Sequence, residues 1–157
     1  MSEEAAKGFV LQPGEGKSIE LRRYHMSVKA SAEQTGAAFS LLEAKEPPGF
    51  GPPSHIHRDA AEAFYILEGE YIIFLDGQEV RCLAGSFIFI PPGVEHGFRV
   101  GKVASRKLNL YSPAAMVGYF EELSEAMKQG AVDPALRSEM AIRYSMDVLG
   151  DVPEGYA

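Results

Sequence analysis

Short apolar runs separated by glycine and proline dominate the chain between residues 18 and 111. The predicted strands are 18–24, 26–30, 37–46, 64–67, 71–75, 86–90, 96–100 and 102–111. The dipeptide Asp76-Gly77 follows one of these runs and favours a two-residue hairpin turn. Many short strands with regular turn signals predict an all-β sandwich or closed barrel.

The pattern changes to helical spacing after residue 111. Ser112 suits a helix N-cap and Pro113 the first helical position. Apolar positions then recur at helical spacing at Met116, Val117, Phe120, Leu123 and Met127. A second helix is predicted from Asp133-Pro134, with an apolar face formed by Leu136, Met140 and Ile142 or Tyr144. We therefore expect one domain, 1–157, with a barrel over about 18–111 and a short C-terminal helical tail over about 113–146.

The composition of the chain limits the classes of partner that it is expected to bind. A chain of 157 residues with 46% apolar residues is long enough to bury a core as one domain. Twenty-two acidic against fifteen basic side chains give a net charge of −7 without a basic stripe, which argues against nucleic acid and anionic membranes. There is no apolar run near the roughly 20 residues of a membrane span and no secretory signal pattern. Cys82 is the single cysteine, and a cytoplasmic protein is expected.

The chemistry is concentrated in the segment HIHRDAAEAF, residues 55–64. Alternate side chains of a strand share a face, so His55 and His57 project together. Glu62 opens the next predicted strand, where a carboxylate facing an apolar interior is costly unless it is paired or bound to a metal. His96 offers a further nitrogen. Three imidazoles and one carboxylate suit a first-row transition metal better than calcium or magnesium.

Two spaced motifs extend this constellation. The first, G(X)5HXH(X)4E(X)6G, is matched by Gly49, His55, His57, Glu62 and Gly69. The second, G(X)5PXG(X)2H, is matched by Gly85, Pro91, Gly93 and His96. The chain thereby resembles the cupin superfamily, and more loosely the single-domain relatives of quercetin dioxygenase. Val100 stands where the second motif usually ends in asparagine, which puts in doubt the local hydrogen bonding there.

The resemblance implies a small cupin barrel, the jelly-roll-like double-stranded β-helix, built from two antiparallel sheets. It also implies one divalent metal ion (iron, nickel, cobalt, copper, manganese or zinc) inside the barrel, and a homodimer. The metal ligands of the family correspond here to His55, His57, Glu62 and His96. Glu62 is in addition the candidate catalytic base.

The expected function is that of a metal-dependent dioxygenase acting on a small phenolic or enolic substrate. Oxygen-independent isomerase, cyclase or dehydratase chemistry remains open, as do a non-catalytic small-molecule or metal-binding cupin, a purely structural metal, and a degenerate barrel without metal. Nothing in the ligand set distinguishes these classes, because a metal that polarises an oxygen serves each of them.

Several other side chains are expected to be structural. Phe64, Ile66, Phe87, Phe89 and Phe98 are core candidates, some of which could line a pocket. Tyr65 has the opposite strand parity to Glu62 and is predicted to face away from the metal. Cys82 is predicted to be a structural thiol, and His25, Arg58 and Asp59 to be solvated.

Overall fold

The computed structural model describes residues 6–155. Its strands are β1 (Lys17–Glu20), β2 (His25–Ala30), β3 (Ser40–Glu46), β4 (Ser54–His57), β5 (Ala61–Glu68), β6 (Glu70–Leu75), β7 (Gln78–Leu83), β8 (Phe87–Ile90), β9 (His96–Val100), β10 (Ser105–Ser112) and β11 (Met146–Gly150). Its helices are α1 (Ala32–Thr35), α2 (Met116–Lys128) and α3 (Pro134–Arg143). Within the described range, no helix is long and apolar enough to cross a membrane.

The strands form two antiparallel sheets that pack face to face. One sheet has the order β1-β2-β3-β10-β5-β8, and the other the order β11-β4-β9-β6-β7. Between residues 6 and 155 no strand pairing joins the two sheets, so the sandwich is jelly-roll-like and is not a closed barrel. The predicted all-β class with two antiparallel sheets is confirmed.

Inward-facing side chains of both sheets make the core. Phe64 and Ile66 from β5 pack with Tyr71 and Ile73 from β6 and with Phe98 from β9. Each such buried apolar side chain contributes about 1.5–3 kcal/mol relative to an exposed one. A second cluster lies between the large sheet and the two longer helices. The C-terminal segment is therefore part of the folded body of the protein.

Two glycines carry the turns at either end of β6. Asp76 and Gly77 both have positive φ, 49° and 79°, as the hairpin turn between β6 and β7 requires. Gly69, with φ 81°, joins β5 to β6, and a Cβ at this position would overlap the side chain of Ser105. The motif glycine at 69 is thus required by backbone conformation and by space together.

The expectation that Phe87 and Phe89 belong to the core is wrong. Their side chains are 66% and 55% exposed, whereas Ile88 and Ile90 of the same strand are buried. The sequence SFIFI is apolar at both parities, so alternation could not select the inward face. Tyr65 is 45% exposed on the neighbouring strand, which confirms that it faces away from the interior.

The tail differs from expectation at its start and its end. Helix α2 begins at Met116, because Ser112 is still in β10, where its hydroxyl donates to the carbonyl of Ala38. Helix α3 does begin at Pro134, and the Asp133 carboxylate caps it by accepting from the Leu136 amide at 2.8 Å.

Within α3, Met140 is buried as predicted, but Ile142 is 67% exposed and does not belong to the apolar face, while Tyr144 is partly buried. The chain then forms β11, an unpredicted strand that pairs with β4. The tail is consequently attached to the strand that carries His55 and His57.

Candidate metal centre and cavity

The four predicted metal ligands converge between the two sheets. His55 and His57 come from β4, and His96 opens β9 directly opposite His55 in the antiparallel register. Glu62 comes from β5 of the other sheet. One potential ligand atom from each residue lies within 4.8 Å of those of the other three. The cluster could hold a metal ion.

Backbone carbonyls fix the orientation of two of the rings. The Nδ1–H of His55 donates to the carbonyl of Pro53 at 2.8 Å, and that of His96 to the carbonyl of Val94 at 2.9 Å. A carbonyl can only accept, so Nδ1 of each ring carries a hydrogen, and Nε2 is the nitrogen that each ring offers to the cluster. Metal-binding histidines usually donate their second ring N–H to a carbonyl or carboxylate in this way, which fixes the orientation of the ring.

The remaining contacts of the cluster also fit a cation. Oε2 of Glu62 lies 2.7 Å from Nε2 of His96 and 3.1 Å from Nε2 of His57. The second approach is an ion-pair distance without hydrogen-bond alignment, and both ring nitrogens of buried His57 lack a hydrogen-bond partner within residues 6–155. Unpartnered buried nitrogens beside a carboxylate are the donor set that a transition metal binds.

Electrostatics act differently on the members of the cluster. Burial, assisted by the neighbouring His96 ring, lowers the pKa of His55 to about 4, so this imidazole is neutral near pH 7. Burial alone would raise the pKa of Glu62, but its contacts with His57 and His96 outweigh burial and hold that pKa well below its usual range. Burial likewise opposes protonation of His96, yet the Glu62 carboxylate raises the His96 pKa.

The cluster opens into a cavity of about 600 Å³. Aromatic side chains from both sheets and from α2 line it: Phe50, Phe64, Phe98, Tyr111, Tyr119 and Phe120. Arg22, Arg23 and Arg137 lie along the same cavity, and α3 and β11 supply further parts of its wall. The helical tail thus covers a space large enough for a small organic molecule.

Three inward-facing polar residues of β10 were missed from the sequence. Lys107, Asn109 and Tyr111 alternate with Leu108 and Leu110, and all three are buried along the cavity. The available signal was the polar residue at every second position, but without the partner strands it fits an exposed face equally well.

The residues assigned to structure behave largely as predicted. Cys82 is buried, and burial raises the pKa of its thiol, which makes it a poor nucleophile. Arg58 and Asp59 are exposed between the ligand strands, and His25 lies at a half-exposed position 2.8 Å from the Ser18 hydroxyl. At the end of β9, the Val100 amide donates to the carbonyl of Phe50, so backbone hydrogen bonds close this strand without the usual asparagine.

The fold and site define a jelly-roll-like β-sandwich with a three-histidine, one-glutamate cluster in its interior. Residues 43–104 match the family described as "Cupin domain", and this match supports a place for the chain in the cupin superfamily. The structure is similar to an RmlC-like cupin from Shewanella frigidimarina, with a TM-score of 0.62 at 18% identity over 71% of this chain and 96% of that one.

Two curated relatives share sequence with the chain. Quercetin 2,3-dioxygenase of Bacillus subtilis is 25% identical over 122 residues, which is 78% of this chain and 36% of that enzyme. An uncharacterized protein of Methanocaldococcus jannaschii is 38% identical over 61 residues, 39% of this chain and 49% of that protein. The chain therefore spans between about a third and a half of the length of these relatives.

Proposed function

We propose that the chain is a metal-dependent enzyme of dioxygenase type that acts on a small phenolic or enolic molecule. The observation that carries this proposal is the cluster of His55, His57, Glu62 and His96 opening into a cavity with aromatic walls. The 25% identity to a quercetin 2,3-dioxygenase supports an oxygen-dependent reaction on such a substrate.

His55, His57, Glu62 and His96 would hold one ion of iron, nickel, cobalt, copper, manganese or zinc, since imidazole and carboxylate suit each of these metals. When bound, the ion supplies Lewis acidity to a deprotonated substrate oxygen. The protein contributes the orientation of that oxygen, because the backbone holds the His55 and His96 rings in place.

Glu62 is the proposed general base. Its carboxylate is buried, lines the cavity and lies beside the histidine ligands, so it is placed where an acidic substrate proton would be released. Tyr111 lies beside it, with its pKa raised well above the usual range by burial and then by the Glu62 charge, so the phenol stays protonated. The apolar walls exclude water from the activated substrate.

The charge along the cavity supports an acidic ligand. Of the acidic side chains that line it, Glu62 belongs to the ligand cluster, Glu46 is paired with Lys107, and Asp147 lies 3.6 Å from Arg58. Arginines at three positions and Lys107 also line the cavity, in a protein with net charge −7. A cationic lining favours phenolates and enolates over neutral molecules.

The test compares the wild type with His57→Ala. Elemental analysis of untagged protein should find close to one transition metal ion per chain in the wild type and much less in the variant. Metal-loaded wild type should consume oxygen with flavonols or catechols. Product formed equally without oxygen would identify isomerase, cyclase or dehydratase chemistry, and tight binding without product would identify a binding protein.

An exposed apolar patch suggests how the chain assembles. Tyr65, Phe87 and Phe89 form an apolar patch on the outer face of β5 and β8, and we propose that it pairs two copies of the chain. The three aromatic side chains bury about 150–250 Å² each when fully covered, so their exposed parts together provide about 300 Å². Other residues around the patch must supply the rest of the roughly 800 Å² per partner of a stable interface. Light scattering should find a dimer, and the double variant Phe87→Ser, Phe89→Ser should be monomeric.

The single cysteine supports a cytoplasmic location, which cell fractionation would test.

A further inference from the structure

Asn109 is a buried polar residue whose hydrogen bonding the protein leaves incomplete. Its side chain is only 3% exposed, lines the cavity, and has an Oδ1 without a hydrogen-bond partner among the described residues. The polar side chains two residues before and two residues after Asn109 do have partners. Lys107 donates to Glu46 at 2.8 Å, and Tyr111 interacts with Glu62. An unpartnered acceptor in a buried position costs about 1–3 kcal/mol, so a reason for keeping it is required.

The neighbours of Asn109 fix which way its amide points. The Tyr111 hydroxyl donates to the Glu62 carboxylate, which leaves its oxygen as an acceptor only. In the hydrogen bond between the two side chains, the Tyr111 oxygen must therefore accept, and the amide Nδ2–H of Asn109 is the donor. With Nδ2 directed to Tyr111, Oδ1 is the group of Asn109 that is left for a partner in the cavity.

We propose that Asn109 is a specificity-determining residue whose Oδ1 accepts a hydrogen bond from a hydroxyl of the substrate. The inference rests on the proposed function and narrows its substrate class. Asn109 and Tyr111 are one strand repeat apart, roughly 7 Å between backbone positions, and Tyr111 lies opposite the ligand residue Glu62. The substrate is therefore a phenol with a second hydroxyl about one strand repeat from its metal-directed oxygen.

The surroundings of Asn109 suit an aromatic ring that carries this hydroxyl. Phe64 lies directly opposite Asn109 in the pairing of β5 and β10, and its ring also faces the Phe98 ring at 5.9 Å. A planar ligand that packs against Phe64 places an in-plane hydroxyl toward the neighbouring strand. Apolar contact from one strand and a single acceptor from the next can distinguish ligands by one hydroxyl.

The test is equilibrium binding to zinc-loaded full-length protein, since zinc has no redox chemistry and keeps the ligand unchanged. The probes are 3-hydroxyflavone and two compounds with one added hydroxyl, 3,4′-dihydroxyflavone and 3,7-dihydroxyflavone. Wild type should bind one of the dihydroxy compounds about tenfold more tightly than 3-hydroxyflavone, the size expected for one satisfied buried hydrogen bond.

Two variants separate recognition from folding. Asn109→Leu should abolish the preference for the added hydroxyl and leave the Kd of 3-hydroxyflavone within about twofold. Phe64→Leu, at the opposite position in the register, should weaken all three probes by similar factors and preserve the preference. A purely structural role for Asn109 would not alter discrimination between ligands.

Retention of the preference in Asn109→Leu, or equal binding of all probes by wild type, would overturn the inference while leaving the metal-dependent function intact. Failure of every probe to bind would instead reject the flavonol substrate of the proposed function. Urea unfolding of ligand-free protein then decides on Asn109. Asn109→Leu also removes the hydrogen bond from Nδ2–H to Tyr111, so a loss of stability no larger than one hydrogen bond contributes supports an acceptor kept for a ligand. A larger loss shows that Oδ1 is also satisfied within the protein, for example by a buried water, and overturns the inference.

Discussion

The buried ion pair of Lys107 and Glu46 should stabilise the fold only as a pair. The Lys107 ammonium is fully buried and lies 2.8 Å from Oε1 of Glu46, which also accepts from the Tyr71 hydroxyl at 2.8 Å. The perturbations are Lys107→Met, Glu46→Gln and the two together. Methionine keeps the volume of the lysine stem, and glutamine keeps an acceptor for Tyr71.

The magnitudes follow from the geometry. At 2.8 Å and an effective dielectric constant of about 20, the attraction between the charges is about 6 kcal/mol, which largely offsets the cost of removing them from water. Lys107→Met leaves the carboxylate buried and unpaired and should cost about 3–5 kcal/mol. Glu46→Gln should cost less, about 2 kcal/mol, because the ammonium keeps the Phe98 ring at 4.2 Å and two further rings nearby.

The assay is urea unfolding of the four proteins at pH 7, analysed as a double-mutant cycle. The double variant should be less destabilised than the sum of the single variants by at least about 1.5 kcal/mol. Lys45→Met, on the exposed face of the adjacent strand β3, serves as the control and should change the free energy of unfolding by less than about 0.5 kcal/mol. Additivity of the single variants within about 0.5 kcal/mol would refute the reasoning, because it would mean that each charge is stabilised independently of the other.

Three further changes test other parts of the structure. Removing metal with a chelator should lower the melting temperature of wild type in differential scanning fluorimetry, and adding metal back should restore it. The melting temperature of His57→Ala should hardly change. Equal shifts in both proteins would contradict the metal site. Gly69→Ala should lower the free energy of unfolding by more than about 3 kcal/mol, because a positive φ combines with steric overlap at this position. Gly77→Ala, where φ is positive but the space is open, should cost about 1–2 kcal/mol. Equal losses in urea unfolding would argue against the overlap. Arg106 outweighs the effect of burial and holds the pKa of Glu43 below 4.5, so this pair stabilises the fold above that pH and the gain is lost as pH falls through the lowered pKa. Arg106→Gln should therefore cost about 0.5–1 kcal/mol at pH 7 and reduce the loss of stability between pH 5 and pH 3, and an unchanged pH dependence would refute this account.

The ligand cluster was predictable because local rules fix most of it. Strand alternation places His55 and His57 on one face, and a short turn returns Glu62 to the opposite sheet. Strand β9, which begins with His96, lies between β4 and β6 and so places its imidazole beside those of β4. The spacing of these residues thus encodes the relative positions of the strands, which is why all of them meet.

The errors arose where sequence pattern does not determine which neighbour a segment meets. Strand β8 is apolar on both faces, so only its edge position beside β5 decides that Phe87 points outward. Strand β11 exists through its pairing with β4, and its own sequence has little strand character. The inward orientation of Asn109 likewise depends on the strands at either side of β10.

The metal ligands and the elements that cover the cavity come from different parts of the sequence. The four ligand residues lie between positions 55 and 96, whereas α2, α3 and β11, which cover the cavity, lie between 116 and 150. Substitutions in α2 and α3 can alter the shape and charge of the cavity without changing a ligand residue or the strand β11, which pairs with the strand of His55 and His57. This arrangement allows one metal centre to be adapted to new ligands by exchange of a single contiguous stretch, and it makes residues 116–143 the natural segment to randomise in a search for altered specificity.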